Sequence, residues 1–181
     1  MSVSVLAALR TFRKHAFIGL AVIVGFTVGY AVNAAFYSEN APVQPIEFSH
    51  RIHAQENEIP CMHCHVHVAR SINATVPSVS KCMNCHRAMP GVWESPEIVK
   101  LRGYWERQEP IPWVKVHDLP DFAYFPHKRH IQAGVDCAEC HGDVANMARV
   151  KQVAPLKMQW CLDCHGERQV EYGRDCWTCH Q

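Results

Sequence analysis

The chain has 181 residues, with 18 basic and 17 acidic side chains, a formal net charge of +1, 10 Cys and 13 His. A charge balance this close to neutral excludes a strongly basic nucleic-acid binder, and the length excludes a large catalytic architecture such as a barrel. With 9 Gly, 11 Pro and no repetitive tract, the chain is neither fibrous nor low-complexity.

Residues 1–15 read as a short cytoplasmic N-terminus. Residues 16–37 (AFIGLAVIVGFTVGYAVNAAFY) carry no charge, and at 1.5 Å per residue they cover about 33 Å, enough to cross the hydrocarbon core of a bilayer. Arg10, Arg13 and Lys14 precede this stretch, and the first acidic residue is Glu39. The positive-inside rule therefore places everything beyond Tyr37 outside the cytoplasm. The rival reading is a cleaved signal peptide with Val32-Asn33-Ala34 at its cleavage site. Gly25 and Gly29 form a small-xxx-small pair that would let another helix approach, although glycine is also simply common in membrane helices. Setting the anchor's three basic residues aside leaves 15 basic against 17 acidic side chains. A mildly acidic outer part suits a basic electron-transfer partner.

After a linker over 38–47, Phe48-Ser-His50-Arg-Ile-His53 precedes Cys61, and Phe125-Pro-His127-Lys-Arg-His130 precedes Cys137. Both read Phe-x-His-x-x-His, with a Cys pair shortly downstream, which marks an internal duplication. Histidines at i and i+3 lie on one face of a helical turn, so each imidazole of a pair can reach a different neighbouring group. The bland alternative is a solvated or core-satisfied His pair.

All ten cysteines fall in five segments of one form: CMHCH (61–65), CMNCH (82–86), CAECH (137–141), CLDCH (161–165) and CWTCH (176–180). Composition alone predicts roughly 0.04 such segments in a chain of this length. The pattern is that of covalent c-type haem attachment. Two thiols one helical turn apart add across the two vinyl groups of one porphyrin, and the following His sits under the iron. The attachment pairs are Cys61/Cys64, Cys82/Cys85, Cys137/Cys140, Cys161/Cys164 and Cys176/Cys179. The proximal ligands are His65, His86, His141, His165 and His180. Zinc sites do not require a His after each pair, a thioredoxin-like motif would occur once, and a disulfide framework would not repeat one spacing five times.

Between the two motif groups, Ser95-Pro96-Glu97 reads as an N-cap, a first-turn Pro and a first-turn acid. Ile98, Leu101 and Trp105 follow at i, i+3 and i+7, which predicts a short helix over about 96–107 with one apolar face. Residues 48–109 then form a two-haem module containing this helix, 110–124 a Pro-rich connector, and 125–181 a three-haem module. The expected fold is a mostly irregular and α-helical multihaem cytochrome c, with one transmembrane helix and an extracytoplasmic domain of two modules that uses porphyrin as its apolar core.

Five irons need up to five distal ligands. Beyond Cys137 the only histidines are proximal, so the distal set comes from upstream. His63 sits inside an attachment segment, His67 lies two residues past a proximal His, and His15 lies on the cytoplasmic side. The remaining set is His50, His53, His117, His127 and His130. His117 lies outside the repeat, and Met147, Met158 or His67 is its alternative; a Met ligand would raise that haem's potential. An open, high-spin iron is the further alternative.

The Phe-x-His-x-x-His module with its Cys-x-x-Cys-His resembles class III-type multihaem cytochromes. The connector IPWVKVHDLPDFAYFPHKRH (111–130), the segment LKMQWCLDCH (156–165), the five motifs and the anchor together resemble the pentahaem cytochrome subunit of bacterial alternative complex III. That resemblance implies five covalently bound haem c groups and a place on the periplasmic side of the bacterial inner membrane. It also implies three partners: an integral-membrane quinol-site subunit, a large iron–sulfur subunit, and a monohaem cytochrome c or other periplasmic acceptor. The chain would then be an electron-transfer subunit rather than an enzyme. The same modules resemble a subunit of quinone-linked complexes in sulfate reducers. Two competing functions are a self-sufficient membrane quinol dehydrogenase of the NapC/NrfH type and a multihaem reductase with an open iron. The first motif continues as Val66-His67, without the Cys-x-x-Cys-His-x-Met element of one such dehydrogenase branch, and no Lys or Arg substrate cluster stands out beside a motif. The intact mass of the mature protein, measured by mass spectrometry, is expected to exceed that of the polypeptide by five haem masses; a smaller increment would remove a motif from the attachment set.

Overall fold

The computed structural model describes residues 3–180, with side-chain surroundings for residues 12–34 and 41–180. It divides into two compact units, Met1–Asn40 and Ala41–Gln181. As the sequence predicted, the architecture is helical and irregular, with no strand among the described residues.

The first unit is one helix, α1 (Val3–Asn40). It is longer than the apolar segment 16–37 because nothing in the flanking residues breaks it: there is no Pro or Gly between Val3 and His15, and none between Tyr30 and Asn40. Its apolar part, Phe12–Ala34, spans 23 residues at a mean hydropathy of 1.9 and is wholly exposed in this chain. The hydroxyl of Thr27 is satisfied within the helix, donating to the Val24 carbonyl at 2.9 Å. Gly25 and Gly29 have open space around them.

The second unit contains seven short α-helices: α2 (Cys61–Cys64), α3 (Val79–His86), α4 (Pro96–Glu106), α5 (His127–Gln132), α6 (Cys137–His141), α7 (Met158–Glu167) and α8 (Cys176–Cys179). A π-helical turn covers Arg51–Glu56, and 3-10 turns cover Pro90–Val92 and Val144–Asn146. Helix α4 carries the predicted apolar face: Leu101 is 4% exposed, and Ile98 and Trp105 pack beside it. Leu101 meets Met83 of α3, together with Ile46 and Ile111 from the flanking chain. Ser95 stands at the N-cap of α4, but its hydroxyl caps nothing; its carbonyl accepts the first helical bond, from Val99 N–H at 2.9 Å. Glu97 takes over the polar work of the first turn. It accepts from Lys100 Nζ at 2.8 Å and from Glu47 N–H at 2.7 Å. The Gln44 amide pairs both ways with the backbone of Val114, at 3.0 and 2.9 Å, and fastens the connector to the start of the unit.

This core is small. Buried apolar side chains in the second unit are Ile46, Val68, Met83, Leu101, Ile111 and Ala154, and none is below 2% exposure. A polypeptide of this length ordinarily hides roughly two thirds of the surface its unfolded chain exposes. Leu101→Ala is expected to destabilise the second unit by about 2–5 kcal/mol, because it opens a cavity at the centre of this small cluster; denaturant unfolding followed by tryptophan fluorescence checks this.

Candidate haem-binding sites

Each Cys-x-x-Cys pair lies within a short helix, which puts its two thiols on one side. Helix α6 illustrates the local cause. Asp136 caps it by accepting from Ala138 N–H at 2.8 Å, and Glu139 returns the bond by accepting from Asp136 N–H at 3.1 Å. Gly142 ends it with φ +68°, and a Cβ there would meet Val153 Cγ2 at 2.7 Å, so this stop requires glycine.

None of the ten cysteines is in a disulfide. Burial pushes the thiols of Cys64, Cys82, Cys137, Cys140 and Cys161 above their ordinary pKa, which keeps them protonated and slow in disulfide exchange. No three His, Cys, Asp or Glu side chains among the described residues converge on a bare metal ion, as a zinc site would need.

The two Phe-x-His-x-x-His segments have nearly the same geometry. Phe48 meets His50 at 4.9 Å between ring centroids and His53 at 4.3 Å. Phe125 meets His127 at 4.9 Å and His130 at 4.3 Å. His53 and His130 each place Nδ1 on the carbonyl four residues back, Ser49 at 2.8 Å and Pro126 at 3.1 Å. The helical turn expected at both places differs in one respect: the first is π-helical, with Asn57 N–H on Ile52 O at 3.2 Å, whereas the second is α. π turns are rare and concentrate at functional sites.

The imidazoles of each segment face those of the Cys motifs. His53 lies 5.9 Å from His86, His130 lies 6.0 Å from His165, and His127 lies parallel to His141 at 6.4 Å and 8°. With metal–nitrogen bonds of about 2 Å on either side, two imidazoles on opposite faces of one iron stand roughly 6 Å apart. His50 is close enough to His65 and His53 to be affected by their charge.

Backbone carbonyls also fix several of the ring nitrogens. Among the proximal residues, His65 Nδ1 faces Thr75 O at 2.8 Å, His165 Nδ1 faces Gly173 O at 2.6 Å, and His180 Nδ1 faces Phe122 O at 3.0 Å. Among the distal candidates, His127 Nδ1 faces Ile72 O at 3.1 Å. A carbonyl can only accept, so Nδ1 carries the proton and Nε2 keeps its lone pair for iron. Three further imidazole nitrogens are buried without a partner: His50 Nδ1, His86 Nδ1 and His117 Nε2. Burial, reinforced by His65 and His53, lowers the His50 pKa to about 4; burial, reinforced by His117, His127 and His65, does the same for His141. His86, His117 and His127 are lowered chiefly by the same desolvation. All five are neutral at pH 7, the state that binds a metal. The spacing, the tethered Nδ1 atoms, the unpartnered Nε2 of His117 and the small core all fit porphyrin iron.

His117 stands apart. It packs edge-on against His141 at 4.3 Å and 79°, too close to share an iron across its axis. The ring beside His180 is Phe122, at 5.9 Å.

Sequence reasoning did not find the junction between the duplicated segments. Arg51 N–H donates to Met147 O at 3.0 Å, and Lys128 N–H donates to Ser71 O at 3.2 Å. Arg51 and Lys128 both follow the first His of their segment, and Met147 and Ser71 both lie six residues past a proximal His. The contact is reciprocal, as a local two-fold arrangement requires. Arg149 reinforces it with two bonds to the Glu47 carboxylate, at 2.7 and 3.2 Å.

Comparison with known proteins agrees with this picture. Residues 123–181 match the family described as cytochrome c7 and related cytochrome c. The chain is also 27% identical to the multihaem cytochrome c subunit of menaquinone reductase from Nitratidesulfovibrio vulgaris (strain Hildenborough), over 91% of this chain and 88% of that protein. The chain has the character of a multihaem, electron-transferring c-type cytochrome with an N-terminal apolar helix. His130→Ala is expected to turn one low-spin iron in the loaded protein high-spin and leave the others unchanged; electron paramagnetic resonance of the oxidised protein reads the change. An unaltered spectrum would separate His130 from His165.

Proposed function

We propose that the chain is a membrane-anchored pentahaem relay of the alternative complex III type, an electron-transfer subunit rather than an enzyme in its own right. Its anchor would hold residues 38–181 on the periplasmic side of the bacterial inner membrane. The two-haem module (48–109), the connector (110–124) and the three-haem module (125–181) would together carry electrons between an integral-membrane quinol-site subunit with its large iron–sulfur subunit and a monohaem cytochrome c or other periplasmic acceptor. The observation that carries this reading is the facing of imidazoles at about 6 Å in three places, with His53, His130, His127 and His165 tethered through Nδ1.

Bound haem supplies one-electron exchange between ferric and ferrous iron. The protein's part would be to hold the iron between imidazoles, which would keep substrates from the metal and leave little to reorganise on electron transfer. The ligand pairs are His50 with His65, His53 with His86, His127 with His141 and His130 with His165. His117 completes the distal set, and Met147 or Met158 is the alternative. Five haem c groups follow from the five Cys pairs.

The likeness to a menaquinone reductase subunit favours a second reading, in which electrons flow toward the quinone instead of from it. A lone quinol dehydrogenase of the NapC/NrfH type is the third. Purification of the native protein from its membranes in mild detergent distinguishes them. The relay is expected to arrive with a polytopic subunit and a large iron–sulfur subunit, and the preparation is expected to reduce its haems with added menaquinol. Oxidation of pre-reduced haems by menaquinone, with quinol inert, would favour the second reading. A lone chain reduced directly by quinol would overturn the first two.

A further inference from the structure

The five attachment sites do not follow one another in space as they do along the chain. Motif two is next to motif one: the His50–His53 turn serves both, with His53 facing His86 at 5.9 Å. Motif one is next to motif three across the reciprocal junction, where Ser71 O and Ile72 O, just past motif one, bind the turn that faces His141. Motif three is next to motif four: Arg168, just past motif four, is paired with Glu139 inside motif three, and the His127–His130 turn faces both proximal rings. Motif four is next to motif five, because the loop that enters α8 supplies Gly173 O to His165 Nδ1 at 2.6 Å. The thiols repeat the sequence of neighbours: Cys64 lies by Cys85, Cys61 by Cys137, Cys140 by Cys164, and Cys161 by Cys179. The file runs two, one, three, four, five.

Its two ends differ. At motif two, the residue after the first Cys is Met83, 3% exposed in the core against α4. At motif five the same position holds Trp177, 80% exposed. At 100° per residue, Trp177 points about 130° away from the mean direction of Cys176 and Cys179, so a porphyrin bound to those thiols does not cover it. Tyr172, 68% exposed, stands beside this turn. Its carbonyl accepts from Thr178 Oγ1 at 2.8 Å and from Asp175 N–H at 3.1 Å. Its φ is +57°, in the left-handed region. Glu171 and Asp175 are exposed and lie within two residues of Tyr172 and Trp177 along the chain, and neither takes part in an ion pair among the described residues; the exposed Arg174 stands between them, with its guanidinium against Gly166. Two carboxylates against one guanidinium leave this stretch negative on balance, and exposed aromatics set among such charges suit a basic partner.

We infer that the motif-five end of this file, built on Trp177 and Tyr172 with Glu171 and Asp175, is the docking face for a redox protein with a lysine-rich surface. The inference rests on the relay reading above. In one test, the full-length, haem-loaded protein is reduced in detergent and mixed in a stopped-flow instrument with a basic mitochondrial-type monohaem cytochrome c as probe. A small uncharged oxidising dye reports the loaded haems directly.

Trp177→Ala, and separately the double variant Glu171→Lys with Asp175→Lys, are expected to lower the second-order rate with the cytochrome about tenfold and to flatten its salt dependence. The rate with the dye is expected to stay within about twofold. The double variant Glu94→Lys with Glu106→Lys makes the same change of charge at the two ends of α4, beside motif two, and is expected to change neither rate. Loss of rate in that variant with the motif-five variants unaffected would overturn the inference, as would a Trp177→Ala protein whose only change is its state of self-association. A wild-type protein that reduces the dye but never the cytochrome would overturn the docking face as well, while the relay reading would still stand or fall on reduction by quinol.

Discussion

The structure depends on the orientation of its imidazoles. A histidine offers two nitrogens, and only one can be aimed at a metal. In this chain a backbone carbonyl takes Nδ1 of six histidines in or facing the Cys motifs: His53, His65, His127, His130, His165 and His180. Each bond fixes a tautomer and a ring plane before any ligand arrives. The carbonyls come from irregular segments such as those at Thr75, Ile72 and Gly173, or from a turn four residues back. This gives the loops a purpose that their lack of regular structure hides. A sheet or a long helix would use its own carbonyls in ladder bonds and leave none to aim a ring.

The same economy explains the size of the core. One cluster around Met83 and Leu101 holds α3 and α4 together, and the rest of the second unit is tied by polar contacts between distant segments. The reciprocal bonds from Arg51 to Met147 and from Lys128 to Ser71, with Arg149 on Glu47, join parts of the chain that share no apolar core. Exposed ion pairs contribute little alone. Here they set position, and the apolar burial that the polypeptide lacks is what a planar macrocycle between facing imidazoles would provide.

Much of this was legible in the sequence because it is local. Five Cys-x-x-Cys-His segments, two Phe-x-His-x-x-His segments and the apolar stripe Ile98–Leu101–Trp105 are patterns within a dozen residues, and each has a fixed consequence for what faces what. The order of motifs in space was not legible. It depends on contacts such as His127 to Ile72, 55 residues apart, and Arg149 to Glu47, 102 apart, which no periodicity encodes. The idle hydroxyl of Ser95 has a similar cause: a residue preferred at N-caps needs the right side-chain rotamer as well as the right place, and Glu97 already serves that turn through a contact from Glu47.

His117 shows where local and distant information meet. Counting residues singles it out as the fifth distal candidate but cannot say which motif it approaches. Folding brings it against His141, a ring that His127 already faces in parallel at 6.4 Å. By the duplication, His127 corresponds to His50 and belongs with the first motif of its own module. His117 has no counterpart in the repeat, and neither does motif five. Its Nε2 is buried and unpartnered, a state that costs about 1–3 kcal/mol and is not kept without return. The connector that carries it runs on through Phe122, whose carbonyl faces His180 Nδ1, to Tyr124, whose N–H donates to Cys179 O. One segment thus reaches both the third and the fifth motif, so the element added to the duplication is tied to the Cys-x-x-Cys-His motif added to it.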